Sequence, residues 1–373
     1  MGLLDYYRQF QGLSTEEVGQ QLREQADQRR AAELERVDPL DLSRTTWPGL
    51  PHHFVVNAIT FAARRGLHRY VDPHAGALRA ELAHRHGVSD DQVVIGNGAA
   101  QLLAAAAAAL LEPNDELVTP WPSYPLYPLM ARRSHGHAVP VPGWGADAIL
   151  RAVNERTRLV VVCNPNDPTG ALMPQAELEE LLVGLPDRVV TLVDEALVDY
   201  VDAQPHDAAI RLLERYPRML VFRSFSKAWG LAGLRCGYAV GAPDAASLLA
   251  QLEPDLGVND LAQHGALEAL RAMEPQVRQR AEMVAGQRAR VLDALQDTAY
   301  EVAPSQANVL WLRLPGVDGA ELAASLERHQ VIVQPGGAIG APDRIRVSVH
   351  LPQHVDRLLR ALELASEETR HAA

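Results

Sequence analysis

The spacing of apolar positions changes character several times along the chain, and those changes mark out its elements. Residues Thr15–Arg36 follow a helical period with one strongly charged face, which predicts an N-terminal helix with a solvated side. Asp38-Pro39 and Trp47-Pro48-Gly49-Leu50-Pro51 break that pattern, since proline removes an amide donor and glycine loosens the backbone. Helical spacing returns over Ala75–His86. A short apolar run Gln92–Ile95, the turn Gly96-Asn97-Gly98 and a helix over Ala99–Leu111 follow. Compact apolar runs at Glu116–Thr119, Leu159–Cys163, Val189–Asp194, Met219–Phe222 and Tyr238–Val240 read as strands, with helical segments such as Pro174–Val183 between them. Strands alternating with helices predict a mainly parallel sheet covered on both faces. Such sheets bind ligands beyond the carboxyl ends of their strands.

After Leu252 the pattern shifts to a long helical stretch, Leu261–Leu295. Strand-like runs at Val309–Leu314, Val331–Val333 and Ile345–His350 come next, with a closing helix Gln353–Ala365. The expectation is an α/β protein in three parts: a helical arm over residues 1–46, a large domain over 47–252 and a small α+β domain over 253–373. The arm is expected to pack with the small domain.

Composition narrows the chemistry. With 373 residues, 47 % of them apolar, the chain can bury a substantial core. Its 35 basic against 47 acidic residues give a formal charge of −12, which argues against binding nucleic acid or an anionic membrane. The alanine run Ala104–Ala109 is too short to span a bilayer, and Met1–Asp5 lack the basic and apolar regions of a secretory signal. A soluble, cytoplasmic protein is expected. Two cysteines, Cys163 and Cys236, rule out a disulfide framework or a four-thiolate metal site. His84/His86 and His135/His137 lie two apart with no carboxylate arranged around them, so they read as surface residues and a metal hydrolase is disfavoured. The basic residues comprise one lysine, Lys227, and 34 arginines. Arginine serves any solvated cation or ion pair, but it cannot lose a proton and attack a carbonyl. A lone lysine is also what composition bias leaves behind, so its neighbourhood decides.

Four segments converge on it. Ser224-Phe225-Ser226-Lys227-Ala228-Trp229-Gly230-Leu231-Ala232-Gly233-Leu234-Arg235 follows a strand and brings two hydroxyls, an amine and a guanidinium together. That set suits a phosphate dianion; a flexible loop with a surface lysine is the plainer alternative. Val193-Asp194-Glu195 ends an apolar strand with a carboxylate, which beside a pyridine ring would keep the ring nitrogen protonated, and elsewhere would be a capping or metal-binding acid. Asn164-Pro165-Asn166-Asp167-Pro168-Thr169-Gly170 follows a third strand, although turn chemistry alone accounts for all of it. Gly96-Asn97-Gly98-Ala99-Ala100-Gln101 joins a strand to a helix whose free amides face any bound anion.

On these motifs the chain resembles the fold-type-I pyridoxal-phosphate aminotransferases, and within them the histidinol-phosphate aminotransferase-like group. The likeness runs from about Trp47 to the C-terminus through HRYVDPHAGALRAELA, NPNDPTG, VDEALVDY, SFSKAWGLAGLRCGY and RIRVSVH. The resemblance implies pyridoxal 5'-phosphate as cofactor, carried on Lys227 as a Schiff base, with Lys227 moving a proton at the substrate and Asp194 paired with the pyridine nitrogen. It implies a phosphate grip from Ser224, Ser226, Arg235 and the amides of Ala99 and Ala100, where the family often has a hydroxyl side chain. Tyr124 would stack on the ring unless it is an ordinary core tyrosine. Tyr70 would reach the partner subunit's phosphate, which makes a homodimer the expected unit. Arg346 would hold the substrate carboxylate, with Arg344 two residues earlier on the same strand face as its rival. Transamination between an amino donor and a keto-acid acceptor is the implied reaction. Decarboxylation, β-elimination and a non-catalytic binding role are the alternatives on the same scaffold.

Four departures bear on chemistry. Where the family places asparagine before Pro-Thr-Gly, donating to the cofactor's phenolate oxygen, this chain has Asp167. Where a tyrosine commonly assists, it has Leu197. An anion beside the phenolate and a lost donor both predict a Schiff base that keeps its proton to higher pH, unless Asn166 takes over the donor role. Gln334 replaces a second arginine, and Thr45-Thr46-Trp47-Pro48-Gly49 replaces the usual substrate wall. One cation fewer weakens the case for a phosphorylated substrate, and Trp47 is either an aromatic wall or simple packing.

Overall fold

The computed structural model describes residues 12–34 and 37–372; Arg36, the expected end of the first helix, and Met1–Asp5 lie outside them. Helix α1 (Thr15–Leu34) leads to the short strand β1 (Leu40–Asp41), then α2 (His53–Gly66), α3 (Gly76–His86) and β2 (Val93–Gly96). The alternating part continues through α4 (Ala99–Leu110), β3 (Glu116–Trp121), α5 (Leu126–Arg133), β4 (His137–Pro142), α6 (Ala146–Ala152) and β5 (Thr157–Cys163). It closes with α7 (Gln175–Gly184), β6 (Val190–Asp194), β7 (Met219–Ser224), β8 (Gly237–Gly241) and α8 (Ala246–Leu252).

These strands form one seven-stranded sheet in the order β2-β8-β7-β6-β5-β3-β4. All neighbours pair in parallel except β8, which is antiparallel to both β2 and β7. The central strands are apolar throughout because both faces are covered. Val160, Val162, Val193 and Val221 enter one core with α3, while Leu159, Val161, Leu192 and Leu220 enter another with α4. The alanines of α4 let it lie close to the sheet, where Ala106 and Ala107 are fully buried. Strand β4 escapes a reading by composition because His137–Pro142 carries Pro140 and Pro142. As an edge strand paired only with β3 it tolerates their missing amides. Helix α2 also lacked a clear signature.

The long helical stretch expected over Leu261–Leu295 is two helices, α9 (Asp260–Ala272) and α10 (Glu274–Leu295). The break falls at Met273, and Pro275 sits in the first turn of α10, where a missing N–H costs nothing. Helix α9 adds Ala262, Ala266, Ala269 and Leu270 to the core under the large sheet. Next come β9 (Glu301–Val302), β10 (Val309–Arg313), α11 (Gly319–Arg328), β11 (Val331–Ile332), β12 (Gln334–Pro335), β13 (Ile345–Ser348) and α12 (Pro352–Ala372). An antiparallel sheet β12-β13-β10-β9 anchors a separate core. Strand β1 pairs in parallel with β11, and Leu40 and Leu42 join that core. The chain from Leu42 to Trp47 is thereby aimed between the two sheets. No described helix is long and apolar enough to cross a membrane.

Candidate active site

The carboxyl ends of β5, β6 and β7 open onto a cavity of about 170 Å³. Parallel register sets Cys163 beside Asp194 and Asp194 beside Phe222, so the loops leaving those strands face one another. Lys227, Asp194, Asp167 and Tyr124 line the cavity, as do Ser224, Ser226, Arg235, Ala99 and Ala100. Of the residues expected at the site, these nine come together, Arg346 borders them through Asp167, and Tyr70 does not join them. Tyr70 is 97 % exposed and sits with Phe61 and Arg69 in a surface hollow.

Asp194 is buried to 4 % exposure. Its Oδ2 accepts from the Tyr127 hydroxyl at 2.9 Å and its Oδ1 from the Ala196 amide at 3.1 Å. Burial pushes its carboxyl above the usual range, while these two donors pull it back. Tyr127, itself fully buried, has its hydroxyl pushed well up by burial and by the nearby Asp194 charge. An anion held this way, with no described cation bonded to it, suits a ligand that brings a proton on a ring nitrogen.

The Lys227 amine donates to Thr45 Oγ1, reached by the segment that follows β1. Burial pulls the Lys227 pKa below that of an ordinary lysine; Asp167 opposes the shift and Arg346 adds to it. A lysine with a weakened hold on its proton is a competent nucleophile toward a carbonyl.

The phosphate-like end is built from backbone as much as side chains. Arg235 and Gly98 take positive φ angles of 54° and 84°. A Cβ added at Gly98 would lie 2.6 Å from Arg235 Nη2, so glycine is what lets the guanidinium lie over the start of α4. Arg235 Nη1 donates to Ser226 Oγ at 3.3 Å and to the Ala232 carbonyl at 3.1 Å, while the Ser226 amide bonds Ser224 Oγ at 3.1 Å. The amides of Ala99 and Ala100 begin α4 and have no intrahelical acceptor. Guanidinium, hydroxyls and helix N-terminus fit a phosphate. With the primary amine and the buried carboxylate in the same cavity, the residues fit a phosphorylated pyridine aldehyde. Tyr124, 38 % exposed, meets Tyr127 edge-on at 5.9 Å and has its hydroxyl pushed up by burial.

Asp167 does not face the cavity as a free anion. Arg346 Nη1 lies 2.6 Å from its Oδ1. Asn166 cannot take over as donor, since its Nδ2 already bonds the Pro122 carbonyl at 3.0 Å and Thr169 Oγ1 at 2.8 Å, and its Oδ1 accepts from Ser123 at 2.7 Å. Leu197 is buried and lines the cavity. Gln334 stands opposite Arg346 on β12 and is exposed. Trp47 is packing: Arg280 lies over its ring at 4.8 Å and His350 meets its edge at 6.1 Å.

Three participants carried no sequence signal of their own. Tyr127 is a second tyrosine close after Tyr124, in the first turn of α5, Cys163 is a strand residue lining the cavity, and Thr45 is more than 180 positions from Lys227. His86, expected at the surface, packs instead on Tyr238 with Nε2 3.0 Å from the hydroxyl, and burial pushes its pKa down to about 3. A larger cavity of about 460 Å³ holds the buried Glu195–Arg223 pair, bonded at 2.7 Å, and contains neither Lys227 nor Asp194.

The chain has relatives among known proteins. The model of the family "Aminotransferase class I and II" matches residues 37–362. Histidinol-phosphate aminotransferase 1 of Nitrosococcus oceani is 37 % identical over 306 residues, 81 % of this chain and 82 % of that protein. An aromatic amino acid aminotransferase of Corynebacterium efficiens is 35 % identical over 334 residues, 87 % of this chain and 93 % of that one. The crystal structure of histidinol-phosphate aminotransferase from Sinorhizobium meliloti in complex with pyridoxal-5'-phosphate superposes with a TM-score of 0.79 at 26 % identity, over 90 % of this chain and 93 % of that one. The chain therefore belongs to the class I and II aminotransferases, pyridoxal-phosphate-dependent enzymes that move amino groups between amino acids and keto acids.

Proposed function

We propose that the amino donor is an unphosphorylated amino acid with an aromatic or other bulky apolar side chain, that the acceptor is a 2-keto acid, and that Lys227 carries the reaction. The observation that carries the donor class is Gln334 standing opposite Arg346, which leaves one cation where a phosphorylated donor would need two. The relative from Corynebacterium efficiens, named for aromatic amino acids, points the same way.

Pyridoxal phosphate, when bound, supplies a carbonyl for the amine to condense with and a ring that takes up electron density from the substrate's Cα. The protein's share is binding, orientation and proton control. Arg235, Ser224, Ser226 and the amides of Ala99 and Ala100 would hold the phosphate, and Tyr124 would pack against the ring. Asp194, oriented by Tyr127, would keep a proton at the ring nitrogen. Lys227 Nζ would hold the cofactor and, when free, would take the proton from the substrate's Cα and return it. Thr45 keeps that nitrogen aimed. Arg346 receives the substrate carboxylate.

A cytoplasmic homodimer is the working unit in this reading, with the arm over 1–46, a large domain over 47–252 and a small domain over 253–373, whose first helix α9 packs under the large sheet. Support for the dimer comes from Leu50, Phe54, Phe61, Leu67 and Tyr70, an exposed apolar surface along and beside α2. Tyr70 would complete the partner's phosphate site from there.

The test is the visible spectrum of the loaded enzyme with a panel of amino acids and amine phosphates. Bleaching of the cofactor band by an aromatic amino acid, and its return with a 2-keto acid, is expected. A response to an amine phosphate alone would overturn the donor class. Release of carbon dioxide without an acceptor would overturn the reaction.

A further inference from the structure

Arg346 is engaged before any substrate arrives. Its Nη1 is 2.6 Å from Asp167 Oδ1, its Nη2 donates to the Ser43 carbonyl, and its Nε is buried with no partner among the described residues. Both side chains are largely withdrawn from water, at 16 % and 11 % exposure. Asp167 lines the same cavity as Lys227, whereas Arg346 arrives from β13 of the other sheet. The loop does not let Asp167 swing in and out freely. The Gly170 amide bonds the Asn166 carbonyl at 2.7 Å, and the Asn166 amide bonds the Ala171 carbonyl at 2.8 Å.

We propose that Asp167 is a specificity-determining residue that occupies, on Arg346, the place of a substrate carboxylate. A carboxylate ligand then binds only by displacing Asp167 or by sharing the guanidinium with it. This rests on reading Arg346 as the group that receives the substrate carboxylate. Two anions on one guanidinium repel each other at close range, and in a half-buried site that repulsion is several times thermal energy. The unpartnered Nε leaves a donor for the second anion but does nothing to remove the first. An asparagine at this position would accept the same Arg346 hydrogen bond without charge. Substrate carboxylates are therefore held weakly and exchange readily, while ligands of the same shape without a carboxylate lose nothing.

The test compares 3-phenylpropanoate with 3-phenylpropan-1-ol, and butanoate with butan-1-ol, as non-reacting probes of the loaded enzyme. Binding is read from tryptophan fluorescence and from the cofactor absorption band, which also reports that each variant is folded. Asp167→Asn and Asp167→Ser should each bind the carboxylates at least about tenfold more tightly, near 1.4 kcal/mol. The alcohols should stay within about twofold of wild type, so the carboxylate-to-alcohol ratio carries the signal. Arg346→Gln should abolish the carboxylate preference in every background. Unchanged or weaker carboxylate binding in both Asp167 variants, with Arg346→Gln still abolishing it, would overturn the role given to Asp167 and leave Arg346 as read. Unchanged carboxylate binding in Arg346→Gln would overturn the reading of Arg346, and the role of Asp167 with it.

Discussion

Replacing Tyr127 with phenylalanine removes one hydroxyl and almost no volume from a fully buried site, so its cost reports the bond to Asp194 together with a contact to Cys163, and only the former depends on Asp194. A hydrogen bond to a charged group contributes about 1.5–3 kcal/mol, and one between neutral groups about 0.5–1.5 kcal/mol. The Tyr127 bond at 2.9 Å belongs to the first class while Asp194 is ionised and to the second once it is protonated. Burial raises the folded pKa of Asp194 above its unfolded value. The associated stability is therefore fully present below the unfolded pKa and is lost as pH rises through the folded one. Tyr127 is among the groups that hold the folded pKa down, so its removal raises that pKa further. The penalty of Tyr127→Phe should then grow as pH rises through the folded pKa of Asp194, and shrink on the acid side toward the cost of a neutral bond. Urea denaturation of the cofactor-free protein, followed by circular dichroism across the pH range in which it stays folded, measures this. Repeating it in an Asp194→Asn background closes a double-mutant cycle. The expected coupling is about 1 kcal/mol, the difference between the two classes of bond. An equal cost of Tyr127→Phe in both backgrounds, or a cost that ignores pH, would refute the account of how Asp194 is kept charged.

Lys227→Ala should abolish covalent attachment of the cofactor altogether, read by intact mass after borohydride reduction, because the chain has no other lysine to substitute. The same singularity makes Lys227 directly titratable: in cofactor-free protein its reaction with an amine-directed acylating reagent should switch on at a pH below that of an ordinary lysine, as its burial requires. Gly98→Ala should weaken pyridoxal phosphate binding by at least about tenfold, because the new Cβ meets the Arg235 guanidinium at 2.6 Å and the φ of 84° strains any side chain. Fluorescence titration with cofactor and with inorganic phosphate would show it, and equal affinities would remove Arg235 from the phosphate site. If Tyr70 completes the partner's site, mixing Tyr70→Phe and Lys227→Ala chains should restore activity above either parent; no gain on mixing would leave Tyr70 a surface residue.

Much of this protein is legible in its sequence because the signals are local. Six of the seven strands of the large sheet appear in the sequence as short apolar runs; only β4, with Pro140 and Pro142, hides. Lys227, Asp194, Ser226 and Arg235 lie in segments that leave those strands, so placing the strands places the residues. Strand ends in parallel register meet at one edge, which is why nine expected residues share one cavity. What sequence could not decide is which distant groups complete the site. Thr45 reaches Lys227 because β1 pairs with β11 and Asn308 bonds the Thr45 carbonyl at 3.0 Å. Tyr127 reaches Asp194 through the packing of α5. Asp167 reads from sequence as a bare anion beside the cofactor, yet Arg346, 179 residues away, balances its charge. A residue's type and local period are written in the chain, but the partner of a charge is set by which sheets the fold brings together.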